Sequence, residues 1–295
     1  MYRSITRRKV LQTGSAALAA SALSSKFASQ LQAEIIPAQP GIQLYSVGKE
    51  LQADVPGTLH DLRAIGYIEV ETAGFAGLTT KQLRQAFDQA GLKCNSAHIF
   101  NYTKPDPGPF FEDANTLGVR YVVTSINNEL IKPPAGQPPT IDNYKPMADY
   151  LNTLGSKAKA AALQLAYHNH NDEFKDLGGG KMGYDLLLDQ TDPNLVKFEL
   201  DCGWMVAGGQ NPVDYFKRYP NRYRMIHVKD FILSPGRRPQ GVVLGKGAID
   251  YKPIFPAAKA AGVERYYVEQ EPPFIGTTAL EAAKLNYEYV QAINR

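Results

Sequence analysis

From Pro40 onward, short apolar runs of strand length alternate with longer stretches whose apolar residues recur every three or four positions. GIQLYS precedes VPGTLHDLRAIG, where Val55, Leu59 and Leu62 fall on one helical face and Gly66 supplies a stop. YIEVE precedes TTKQLRQAFDQAG, with Leu83 and Phe87 on one face and Gly91 as the stop. KCNSAHIF, RYVVTSI, LQLAYHNH, VKFELDCGW, RMIHVKDF and RYYVEQE follow, with helical patterns between most of them. Eight strands alternating with helices predict an α/β protein, a single-domain (β/α)8 TIM barrel over residues 34–295.

The strands themselves alternate, although a strand packed on both faces should read as a continuous apolar run. In VKFELD, Val196, Phe198 and Leu200 oppose Lys197, Glu199 and Asp201; in IHVKD, Ile226 and Val228 oppose His227 and Lys229. The apolar face suits packing on helices, which turns the polar face into the barrel. That parity gathers Gln43, Tyr45, Glu69, Glu71, His98, His168, His170, Asp201, His227, Lys229 and Glu269 on the inner side. Most stand near the C-terminal ends of their strands, the rim where barrel enzymes carry their chemistry. His168 and His170, two apart in YHNHNDEF, share a face, so parity admits either as a ligand. Asn101 and Tyr102 also fall near this rim, and Trp204, just past the end of its strand, is positioned to stack on a sugar face.

The first 33 residues stand apart from this pattern. SITRRKVLQ, with Arg7 and Arg8 paired, leads into the weakly apolar TGSAALAASALSS, which reads as an export signal of twin-arginine type. The run is too short and too rich in Ala and Ser for stable membrane insertion. The segment holds Arg3, Arg7, Arg8, Lys9 and Lys26 and no acid, so the net charge of +3 becomes −2 without it. A nucleic-acid partner is therefore not expected. Cys94 and Cys202 read as two buried thiols rather than a disulfide framework. GKG at 245–247 matches no phosphate-loop pattern and reads as a turn, and KPPAGQPPTID as one long loop.

Imidazoles and carboxylates from successive strand ends suit a divalent ion of the Mn, Co, Zn, Fe or Mg kind. HNHNDEF, ELDCGW, MIHVKDF, LGKGAIDYKPIF and VEQE, in this order, resemble the sugar phosphate isomerase/epimerase group of xylose isomerase-like barrels, over essentially the whole chain after the signal. The resemblance implies one metal ligand from each of the last four strands: His168, Asp201, His227 and Glu269. The epimerases carry a glutamate where His168 stands, and their two ligand glutamates pass a proton across the substrate. Losing one of that pair turns the expectation toward a lyase or dehydratase, with Glu269 as base and His98 as acid. Lys229 would hold the enolate oxygen, while Glu71 and His170 are further acid–base candidates and Gln43, Tyr45, Glu71 and Trp204 would contact substrate.

The expected function is thus a metal-dependent enzyme removing a proton beside the carbonyl of a small carbohydrate, a sugar or keto-sugar. An epimerase proper, a non-catalytic sugar-binding barrel and, less favoured, an apurinic endonuclease are the alternatives. Export points to a periplasmic setting, where phosphorylated sugars are scarce. Replacing Arg7 and Arg8 with Lys is expected to hold the precursor in the cytoplasm with its folded domain unchanged; subcellular fractionation checks this.

Overall fold

The computed structural model describes residues 39–98 and 106–293, so the export signal and the rim residues Asn101 and Tyr102 lie outside the described residues. Eight parallel strands close into a barrel: β1 Gly41–Gln43, β2 Glu69–Ala73, β3 Lys93–His98, β4 Tyr121–Thr124, β5 Gln164–His168, β6 Val196–Asp201, β7 Tyr223–Val228 and β10 Arg265–Val268. Each pairs with its neighbour in sequence order, and β10 closes on β1. This is the expected single-domain (β/α)8 barrel. A short antiparallel ribbon, β8 Asp230–Ile232 with β9 Gln240–Val242, rises from the end of β7 and was not expected.

Local chemistry starts and stops the helices where the sequence suggests. Asp54 caps Val55–Ile65 by accepting from the Gly57 N–H, and Gly66 ends it at φ 126°. Thr79 and Gln82 form a capping box on Thr80–Ala90, and Gly91 closes that helix in the left-handed region at φ 69°. Among the described residues no helix is long and apolar enough to cross a membrane.

Two apolar layers result from strand alternation. Ile42, Val70, Val122, Leu165, Phe198, Ile226 and Val268 face outward into the main core shared with the helices. Tyr121, Val123, Ala166, Met225 and Tyr267 face inward and plug the barrel as a separate, fully buried cluster. Gly41 has no side chain because one would run into the Tyr267 ring. The Tyr267 hydroxyl donates to Glu69 at 2.5 Å and Arg265 pairs with the same carboxylate at 2.6 Å, so Glu69 belongs to the barrel floor rather than the rim.

Two register shifts tune this arrangement. Val70 pairs with Cys94 but Glu71 with Ser96, which leaves Asn95 as an extra residue on β3. Phe198 pairs with Tyr223 but Glu199 with Met225, which leaves Arg224 extra on β7. In an unbroken strand Cys94 and Ser96 would share a face; with the bulge Cys94 packs outward and the Ser96 hydroxyl points inward to Glu71. Cys94 and Cys202 are buried and unbridged. The Gly245–Gly247 segment is a turn wrapped on Asp230, whose carboxylate accepts from the N–H groups of Gly245, Gly247 and Ile249, so no N–H of this set is left for a phosphate.

Beyond β5 the chain is held by side chains acting as backbone. Asn169 accepts from the Asp201 N–H at 3.0 Å and donates to the Asp201 carbonyl at 3.2 Å, extending the β5–β6 pairing by one residue. Glu173, fully buried, accepts from the Tyr167 hydroxyl at 2.8 Å and the His170 N–H at 3.0 Å. Burial raises its carboxyl to about 7, against the lowering effect of these donors. A folded value above the unfolded one means that the folded state holds the proton more tightly. Stability from Glu173 is then full below about 4.5 and declines as pH rises through about 7. Urea denaturation of Glu173→Gln at pH 5 and pH 8 is expected to show up to about 3 kcal/mol less pH dependence than the unsubstituted protein.

Candidate active site

At the C-terminal end of the barrel four strands bring side chains to one place. His168 ends β5, Asp201 ends β6, His227 is next to last on β7, and Glu269 follows β10; all four are buried. The His227 Nδ1 lies 2.8 Å from Glu269 Oε2 and 3.9 Å from Asp201 Oδ2, and the His168 Nε2 lies 3.8 Å from the same Asp201 oxygen. Ligand atoms of Asp201, His227 and Glu269 lie within 4.8 Å of one another. Of the two histidines that parity admitted, His168 is the one brought to Asp201 and His227; His170 stands farther out at the cavity wall.

Lys229 is not a solvated strand-end lysine. It is 2 % exposed, and its ammonium lies 2.9 Å from Asp201, 2.7 Å from Glu269 and 2.8 Å from Glu271. Gly203 makes room for it, since a side chain there would meet the Lys229 stem. The carboxylates and the burial oppose each other on this group, and the carboxylates hold it protonated. The Asp201 carboxylate accepts one hydrogen bond: Oδ1 caps the following helix at the Trp204 N–H, 2.8 Å away, while Oδ2 faces Lys229 without the alignment of a hydrogen bond. Burial raises Asp201 to about 6 despite the charges of Lys229 and His227.

Beneath the imidazoles lie two carboxylates with no exposed surface. Glu71 accepts from His227 Nε2 at 2.6 Å, Gln43 Nε2 at 2.8 Å and Ser96 Oγ at 2.5 Å. Glu71, expected to contact substrate, is thus placed beneath the residues that line the cavity, with its oxygens engaged by these three partners. Glu199 lies 2.9 Å from His98 Nε2, 3.1 Å from His168 Nδ1 and 3.2 Å from His227 Nε2. Glu199 is inward by its parity with Asp201 in VKFELD but is no part of the ligand set that the resemblance implies.

Two histidines face the cavity in opposite electrostatic surroundings. Burial alone would lower His98, but the Glu71 charge and the Glu199 hydrogen bond raise it to about 9. Burial lowers His170 to about 4, and the Lys229 charge adds to this. The cavity between them, about 250 Å³, is lined also by Gln43, Tyr45, Ser125, Lys229 and Glu269. Tyr45 is half exposed at its mouth, and Gln43 is locked between Glu71 and the Tyr45 N–H. A second cavity of about 480 Å³ begins at His170 and runs past Trp204 to Arg237 and Arg238. Trp204 is buried against Phe231, donates its indole N–H to Glu271 at 3.1 Å and lines the second space, while His170 lines both.

A family model described as xylose isomerase-like TIM barrel matches residues 59–288. Inosose dehydratase of Geobacillus thermodenitrificans is 27 % identical over 251 residues, covering 72 % of this chain and 82 % of its own length. A sugar phosphate isomerase/epimerase structure from Parabacteroides distasonis superposes with a TM-score of 0.73 at 29 % identity, covering 87 % of this chain and 95 % of that one. An IolI protein structure with a zinc atom shares the fold, with a TM-score of 0.65 at 18 % identity over 86 % of this chain and 97 % of that one.

Lys229→Met would leave Asp201, Glu269 and Glu271 facing one another without a cation. In the presence of a chelator this change is expected to lower stability by about 3 kcal/mol, the usual order for breaking a buried ion pair from one side. Urea denaturation with and without Mn2+ checks it: the ion is expected to recover part of the loss, because it would supply the missing positive charge.

Proposed function

The chain belongs to the xylose isomerase-like TIM barrel family, and from that premise we propose that it is a divalent-metal-dependent enzyme acting on a keto-sugar or inosose as a dehydratase or lyase. It would remove a proton beside the carbonyl and expel an oxygen leaving group. One observation carries this reading: His98, seated on the deep carboxylates Glu71 and Glu199, and His170, away from them, line one cavity with Lys229 and Glu269, and these surroundings push the first imidazole up and the second down. Titratable groups pushed apart in this way mark an acid and a base. The similarity to inosose dehydratases supports the same class.

The residues fit a divalent ion on their own chemistry. Glu71, Glu199, Asp201, Glu269 and Glu271 bring five carboxylates to a region where Lys229 is the one lysine among the described partners. Asp201 Oδ2 and Glu199 Oε1 are buried without a hydrogen bond. Surplus negative charge and mixed N and O donors match Mn, Fe, Co or Zn. His168, Asp201, His227 and Glu269 are the residues that would hold the ion. When bound, it would supply Lewis-acid polarisation of a substrate carbonyl.

The remaining residues divide the proton work. Glu269 was the base expected from sequence, but its Oε2 is pinned between Lys229 Nζ and His227 Nδ1, and these partners hold it well below the usual carboxylate range despite its burial. We therefore assign proton removal to His170, whose ring lines the cavity while the Glu269 oxygen is engaged by Lys229 and His227. His98 donates to the departing oxygen. Lys229 keeps a positive charge beside the oxygen that becomes negative as the proton leaves. The space beyond His170 and Trp204 gives room for a substituent on the sugar. The twin-arginine pattern of residues 1–33 supports a periplasmic setting and unphosphorylated substrates.

Incubating the purified protein and Mn2+ with keto-sugars and inososes in deuterated water is expected to give both proton exchange beside the carbonyl and loss of water or aglycone, read by NMR. His170→Asn is expected to lower both by roughly 10² to 10⁴, the range of general acid–base catalysis. His98→Asn is expected to slow elimination more than exchange. Products inverted at one carbon with no elimination would make the protein an epimerase, and binding without any turnover would make it a sugar-binding barrel.

A further inference from the structure

Glu199 stands on β6 two residues before Asp201, on the same inward face and one tier deeper. A single oxygen, Oε2, has three imidazole nitrogens around it: His98 Nε2 at 2.9 Å, His168 Nδ1 at 3.1 Å and His227 Nε2 at 3.2 Å. The opposite nitrogens of the last two point the other way. His168 Nε2 faces Asp201 at 3.8 Å, and His227 Nδ1 faces Glu269 at 2.8 Å and Asp201 at 3.9 Å. Each ring therefore spans from a buried carboxylate below to the ligand cluster above.

A ring nitrogen beside a carboxylate carries a proton, and a neutral imidazole then has its lone pair on the other nitrogen. We propose that Glu199 is a positioning residue for His168, fixing it as the Nδ1–H tautomer so that its Nε2 lone pair is aimed at a divalent ion. The inference rests on the proposed ion site. Glu71 is the nearer partner of His227 Nε2, at 2.6 Å against 3.2 Å for Glu199, but does not reach His168, so His168 depends on Glu199 alone among the carboxylates paired with it from below. Carboxylate partners of this kind typically account for 10- to 100-fold in metal affinity.

The test uses the full folded chain, Zn2+ as probe, and two readouts. Calorimetric titration measures ion affinity and stoichiometry, and 15N-resolved imidazole spectra of the metal-free protein report each tautomer. About one Zn2+ per chain is expected, with His168 protonated at Nδ1. Glu199→Gln is expected to weaken Zn2+ binding 10- to 100-fold and to mix the His168 tautomers; Glu71→Gln is expected to leave His168 unchanged. Affinity and tautomer both unaltered in Glu199→Gln would overturn the proposal. Two Zn2+ per chain, one of them lost in this variant, would also overturn it, because Glu199 would then be a ligand with His98, His168 and His227. If the unsubstituted protein binds no Zn2+, the ion site fails, while its His168 tautomer still decides the role of Glu199. Should Glu199→Gln not fold, the same spectrum of the unsubstituted protein, with His168 protonated at Nε2 instead, would overturn the proposal.

Discussion

Buried negative charge is the constraint on which the upper barrel depends. Glu71, Glu199 and Asp201 have no exposed surface and Glu269 very little, and an isolated buried carboxylate costs several kcal/mol. Each is answered by a specific partner: His227, Gln43 and Ser96 for Glu71, the three imidazoles for Glu199, and Lys229 for Asp201 and Glu269. The pairing goes only so far, since oxygens of Asp201 and Glu199 still lack a hydrogen bond. A divalent cation is the simplest group to complete such a balance.

That balance also sets the protonation of the cavity walls. His98 borders the deep carboxylates, which push its imidazole up; burial, with the Lys229 charge added, pushes His170 down. The difference between the two imidazoles therefore follows their depth. Consecutive inward residues of a strand climb the barrel by roughly 6.6 Å, so residues two apart occupy successive tiers. Tyr267 and Met225 plug the lower tier, and Glu269 and His227 stand one tier above them. On β6 both tiers are carboxylates, Glu199 under Asp201, which gives the imidazoles a partner on each side.

Rigid support comes from groups outside the cavity. Asn169 ties the end of β5 to Asp201, Glu173 clamps the turn carrying His170, and the Asp201 carboxylate caps the helix that brings Trp204 into place. The Tyr251 hydroxyl both accepts from the Lys229 N–H and donates to its carbonyl, fixing the strand end on which the ammonium is mounted. These contacts hold the donor atoms on strand ends rather than on free loops, which suits a site that must keep its geometry to a fraction of an ångström.

The sequence by itself determined the barrel, because period-2 alternation inside the strands and helical periodicity between them admit one closed arrangement. It also determined which faces turn inward, and so brought His98, His168, Asp201, His227, Lys229 and Glu269 into view. Only the tertiary structure set His168 rather than His170 beside Asp201 and His227, since two residues of equal parity differ in depth and depth is set by where the sheet ends. It decided the place of Glu71 for a related reason: bulges at Asn95 and Arg224 shift neighbouring strands, and Ser96, Gln43 and His227 then close over its carboxylate. Lys229 reads as a strand-end charge in the chain, yet three carboxylates from β6 and the β10 loop meet on it. Such encounters join residues up to 156 positions apart, as His227 and Glu71 are, and local pattern carries no information about pairs at that separation.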